Sequence, residues 1–129
     1  MTVYLKSEAE IQRMHEADQI VASVLREVQK ATRSGVSTLE LDELAEDLTL
    51  KAGAKPAFKG YQGAGPYPFP GSLCTSINEE VVHGIPSAKR KLKAGDILSV
   101  DFGVVLDGLY GDAAITVPVG RVDAESQRL

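Results

Sequence analysis

Apolar residues recur along the first quarter of the chain at spacings of three and four: Ile11, Met14, Ala17, Val21, Leu25 and Val28. That rhythm lays them along one side of a helix. Ser7 and Glu10 stand just ahead as a capping box, and Gly35 follows, so a helix is predicted over about 8–32. His15 and Asp18 fall off the stripe and read as solvent-facing. A second box, Ser37 with Glu40, opens a helix over about 38–52, with Leu41, Leu44, Ala45 and Leu48 as its buried face and Gly53 as its stop. The acids Glu40, Asp42, Glu43, Glu46 and Asp47 read as mostly its wet side, the first few also favoured by the helix dipole.

The rhythm then changes. Residues 56–72 are dense in Gly, Pro and aromatic residues and read as a structured loop, because Phe58, Tyr61, Tyr67 and Phe69 are too apolar for a free tether. Residues 73–77 and the pair Val81-Val82 read as short strand-like pieces around a turn at Asn78-Glu79-Glu80. Residues 96–105 form a strand, Asp107-Gly108 is a type I′ hairpin signal, and 109–117 is the return strand. A sheet is therefore expected over 73–118. Two helices, a loop and antiparallel strands make one α+β domain over 1–129. After Gly120, residues 123–129 read as a helix start with Asp123 as cap, too short to be stable without more chain to pack it.

A two-residue loop at Asp107-Gly108 fixes the hairpin register. Leu106 faces Leu109, Val104 faces Gly111, Gly103 faces Asp112 and Asp101 faces Ala114. Asp101 and Asp112 then share a face as diagonal neighbours about 7–8 Å apart, with no side chain at Gly103 between them. Leu98, Val100, Phe102 and Val104 with Leu109, Ala113, Ile115 and Val117 form the opposite, core face. Two converging carboxylates repel one another and lose hydration, and divalent cations between them relieve both problems. The residues alone leave two alternatives open: one Asp exposed at a sheet edge, or each paired with a Lys or Arg. His83, before the Gly84-Ile85-Pro86 turn, is either satisfied by backbone or an acid beside a metal site. Cys74 reads as a small packing residue.

Composition narrows the class. The chain has 129 residues, 43% hydrophobic and 25% charged, with a formal net charge of -4. Mild acidity argues against general nucleic-acid or membrane-surface binding, and the basic run from Lys89 to Lys93 reads as a solvated loop. No apolar stretch reaches membrane-span length and the first residues carry no signal-peptide pattern. With a single cysteine, these features fit a cytoplasmic protein.

Several segments resemble type I methionine aminopeptidases in order: Phe58-Lys59-Gly60-Tyr61-Gln62-Gly63; the run from Phe69 through Cys74-Thr75-Ser76-Ile77-Asn78-Glu79-Glu80-Val81-Val82-His83-Gly84-Ile85 to Pro86; Val100-Asp101-Phe102-Gly103; and Asp107-Gly108 leading to Gly111-Asp112. Proline-cleaving relatives share the fold and the Asp pair, whereas the Tyr61, Phe69 and Cys74 set looks like the methionine branch. The resemblance implies the amino-terminal half of a pita-bread fold and a site for two divalent metal ions (Co, Mn, Fe(II) or Zn). The implied reaction is removal of the amino-terminal Met from nascent proteins or peptides. It makes Asp101 a metal ligand, Asp112 a bridge between both metals, and His83 a hydrogen-bonding group on the substrate that steadies the developing charge. Tyr61, Phe69 and Cys74, with Phe58 beside them, become the wall of the Met pocket. Residues 64–68 look inserted in the pocket loop, and Tyr67 is the alternative to Phe69 in the wall.

The family's second half supplies one His and two Glu ligands that this chain lacks. The chain alone is therefore expected to be inactive. A non-catalytic binding or regulatory module, and a homodimer that rebuilds a metal site through an unpaired sheet edge, are the competing readings.

Overall fold

The computed structural model describes residues 1–63 and 65–129. The elements run α1 (Glu8–Ala31), α2 (Thr38–Lys51), β1 (Lys55–Pro56), β2 (Leu73–Ile77), β3 (Ile97–Leu106), β4 (Leu109–Pro118) and α3 (Ala124–Arg128). Both long helices open on capping boxes. Ser7 and Ser37 each accept the N–H of the Glu three residues on, and Glu10 and Glu40 each accept the cap N–H at 2.7 Å. Asp123 caps the short α3, accepting the Ser126 N–H at 2.7 Å.

All strand pairings are antiparallel and converge on β3, which takes β1 and β2 along one flank and β4 along the other. The hairpin register is the expected one, including Leu106 opposite Leu109 and Gly103 opposite Asp112. Asp107 and Gly108 both take positive φ, 50° and 79°, as a type I′ turn requires. Leu98, Val100, Phe102 and Val104 are fully buried under the helices, against Val21, Leu25 and Val28 of α1 and Leu41 and Ala45 of α2.

Helix α1 comes down onto the hairpin backbone at Gly111. A Cβ on Gly111 would lie 2.8 Å from the Ala17 carbonyl carbon and 2.9 Å from the Asp18 nitrogen, so only glycine lets the helix seat there.

Several expectations do not hold. Val81 and Val82 form no strand and are exposed. Asn78 takes φ 53° and the Glu80 N–H closes back on the Ile77 carbonyl, so β2 ends at Ile77 and the chain turns away. Ile11 is exposed, and the buried residues of α1 begin only at Ala17. Ala113 sits on the helix-facing side yet is exposed, on β4, the strand at the sheet's edge. Asp42 is not on the wet side of α2: it is buried. Among the described residues, no helix is long and apolar enough to cross a membrane.

Candidate functional site

The face of the sheet opposite the helices carries the candidate residues. Strand alternation puts Asp101 and Gly103 of β3 on it, with Asp112 of β4 directly opposite Gly103. Asp101 is half-buried and Asp112 exposed. Burial, then the charge of Asp112 and a hydrogen bond to it, pushes the Asp101 carboxyl up, while nearby His83 and the Phe102 N–H pull it back. Among the described residues, the ion pairs leave both aspartates without a Lys or Arg partner. Of the two bland alternatives, ion pairing is thus not observed, and edge exposure describes Asp112.

Cys74 of β2 stands opposite Asp101, a cross-strand pair whose Cβ atoms are about 4.5–5.5 Å apart in such sheets. Its thiol is buried, and burial followed by the charges of Asp101, Asp112 and Asp42 raises it to about 11. Near neutral pH it stays a protonated, buried thiol. Phe58 covers the gap at Gly103: a Cβ there would meet the Phe58 ring at 3.1 Å. The Ala57 N–H bonds to the Gly103 carbonyl at 2.9 Å, which ties that aromatic to the Asp face.

Backbone hydrogen bonds tie the Tyr61 segment to Phe69. Gly60 donates to the Phe69 carbonyl at 2.8 Å and Phe69 donates to the Tyr61 carbonyl at 2.9 Å. Phe69 is half-buried, whereas Tyr67 is exposed, and Tyr61 is itself exposed at 66%. Ala64, first residue of the segment read as inserted, lies outside the described residues.

His83 is exposed and left-handed, φ 62°, not at a strand end as its neighbours suggested. The next residue pins it. Gly84 accepts the Thr75 N–H at 2.8 Å and donates to Ser76 Oγ at 3.1 Å. A Cβ on Gly84 would fall 2.0 Å from the Thr75 carbonyl oxygen, so the turn lies flat on β2.

Asp42 is the residue that the acid pattern of α2 concealed. Its Oδ1 accepts the Ser72 and Leu73 N–H groups at 2.6 and 2.8 Å, fixing where β2 begins. The signal was its place between Leu41 and Ala45, both of them buried. Burial raises its carboxyl, those two N–H groups lower it, repulsion from Glu46 adds to the rise and the charge of Lys59 subtracts from it. A carboxyl raised on folding binds its proton more tightly in the folded chain, so its contribution to stability falls as pH rises from the ordinary Asp range to the raised value. Glu40 and Glu80, lowered by hydrogen bonds to Ser37 and Arg90, act in the opposite sense. Urea midpoints of wild type and Asp42→Asn between pH 3 and pH 7 should therefore diverge in the variant's favour as pH rises through the acid range. Parallel curves would show that Asp42 does not carry a raised proton affinity.

Asp101 and Asp112 are hard oxygen donors suited to divalent cations, and the charge of His83 reaches Asp101. Among the described residues, no group of three or more His, Cys, Asp or Glu side chains converges to hold a metal ion. The donor set fits part of a metal centre.

The class is that of an antiparallel α+β half-fold displaying a paired-aspartate hairpin, half of the pita-bread architecture. Residues 12–129 match the model of metallopeptidase family M24, and the chain belongs to that family. It is 49% identical over 127 residues to a methionine aminopeptidase of Clostridium acetobutylicum, covering 98% of this chain and 49% of that protein. A methionine aminopeptidase of Borreliella burgdorferi is 50% identical over 125 residues, covering 97% and 47%. The crystal structure of methionine aminopeptidase from Thermotoga maritima superposes with a TM-score of 0.92 at 42% identity, over 99% of this chain and 49% of that one. A Xaa-Pro dipeptidase from Bacillus anthracis, at 23% identity and a TM-score of 0.79, shares the fold. The chain spans about half the length of the curated relatives it matches.

Proposed function

We propose that this chain supplies half of a metal-dependent aminopeptidase that removes the amino-terminal methionine from peptides and nascent proteins in the cytoplasm. The observation that carries the reading is the Asp101–Asp112 pair over side-chain-free Gly103, with Cys74, Phe58 and His83 around it. In this reading Asp101 and Asp112 hold the divalent ions (Mn, Fe(II), Co or Zn), whose chemistry is to activate the attacking water and polarise the scissile carbonyl. Asp101 would serve as a ligand to one ion and Asp112 as a ligand to both. His83, on its exposed turn, donates a hydrogen bond to the substrate and steadies the charge that develops at the carbonyl. Phe58, Phe69, Tyr61 and Cys74 receive the Met side chain, whose unbranched thioether packs well against aromatic rings.

Two carboxylates are too few protein ligands for a divalent ion at ordinary concentrations, so the chain by itself is inactive. The test is release of free methionine from a Met-Gly peptide by the purified chain with added Mn²⁺ or Co²⁺, alongside an Asp112→Ala control. No release is expected. Metal-dependent release that disappears in the control would overturn the inactivity and show that a second copy or a partner completes the centre.

A further inference from the structure

Helix α2 turns a polar pair inward. Thr38 is fully buried and Asp42 is 5% exposed, one helical turn apart. Both side chains are directed to other segments. Thr38 Oγ1 accepts the Ser87 N–H at 2.9 Å and donates to the Ser87 carbonyl at 3.2 Å. Asp42 holds the Ser72 and Leu73 amides. One held segment leads into Cys74, and the other leaves His83 through Gly84, Ile85 and Pro86. The two meet at Gly71, where a Cβ would stand 3.0 Å from both Asp42 Oδ1 and Pro86 Cγ.

The His83 turn is therefore gripped twice. Gly84 is pressed on β2, and Pro86-Ser87 are fixed to α2. Burying a carboxylate costs free energy that an apolar residue at the same place would not. What Asp42 returns is a fixed placement of two segments distant in sequence, a use to which buried polar groups are put in other folds.

We propose that Thr38 and Asp42 are positioning residues that set where the His83 turn and the Cys74 end of β2 stand relative to Asp101 and Asp112. Its bearing on catalysis rests on the peptidase reading above; the geometry itself is tested without metal or activity.

The chain has two histidines and one cysteine, so ring resonances and thiol alkylation report on single places. In metal-free spectra of folded Asp42→Ala, the His83 ring resonances move and those of His15 stay. Alkylation of Cys74 by iodoacetamide accelerates about tenfold or more through local opening. Asp42→Asn, which keeps an acceptor for both amides, restores both readouts. Thr38→Val moves His83 while Cys74 stays slow, and this variant carries the test should Asp42→Ala not fold. A merely structural role would speed alkylation only in step with the unfolded fraction measured in urea, and would leave the folded-state His83 resonances in place. That result, or Asp42→Asn behaving like Asp42→Ala, overturns the proposal. Failure of the metal reading would show separately, as no Mn²⁺ broadening at His83 in the wild-type chain even at Mn²⁺ concentrations high enough to populate weak binding by two carboxylates.

Discussion

Replacing Gly84 with alanine should cost about 3 kcal/mol or more of folding stability, beyond the usual range for inserting one methyl group into a packed site. The reason is what the new methyl would meet. It would lie 2.0 Å from the Thr75 carbonyl oxygen and 2.6 Å from the carbonyl carbon, both backbone atoms of a strand held on β3. A side chain could swing aside, but a laddered strand cannot. The turn must lift instead, breaking the bonds from Thr75 N–H to the Gly84 carbonyl and from Gly84 N–H to Ser76 Oγ. Each leaves buried polar atoms to be satisfied afresh, at about 1–3 kcal/mol apiece where water cannot reach them. Urea unfolding checks the size of the loss. A midpoint within error of wild type would mean that the turn does not rest on β2 as described.

Phe102→Ala should lose about 3–5 kcal/mol, the range for removing a large aromatic from a core that cannot collapse onto the space. Phe102 is fully buried, with Leu73 and Ala113 as its cross-strand partners. Such a loss is a large share of the about 5–15 kcal/mol by which a domain is stable. Phe102→Leu leaves a smaller cavity and should lose markedly less. Equal losses in the two variants would remove the cavity explanation. The effect reaches the site because Phe102 lies between Asp101 and Gly103, so the same ring that fills the core holds that stretch of β3 in place.

The Asp pair was legible because everything that sets it is local. Alternation along residues 96–105, a turn whose two residues both tolerate positive φ, and one glycine suffice to put Asp101 and Asp112 on one face. The burial of Asp42 was hidden by the company it keeps, since four other acids share its helix, and only the amides of Ser72 and Leu73, about thirty residues away, reveal its use. Val81-Val82 misled for the opposite reason. Two valines carry strand propensity, but propensity yields to the turn at Asn78 and to the flat seating of Gly84. The backbone rungs between Tyr61 and Phe69 rest on pairing across a Gly- and Pro-rich loop, which no periodicity announces.

The seat of α1 on Gly111 also bears on how the chain acquires its structure. Helix α1 is synthesised well before the slot that receives Ala17, which is made by a residue about ninety positions later. Contacts of such long separation close slowly, because the loop entropy is spent before the packing returns anything. Until the β3–β4 hairpin is synthesised, the apolar stripe of Val21, Val24, Leu25 and Val28 has no complete surface to cover it. That exposed stripe is a surface for a chaperone to hold, and hairpin closure is the event that covers it.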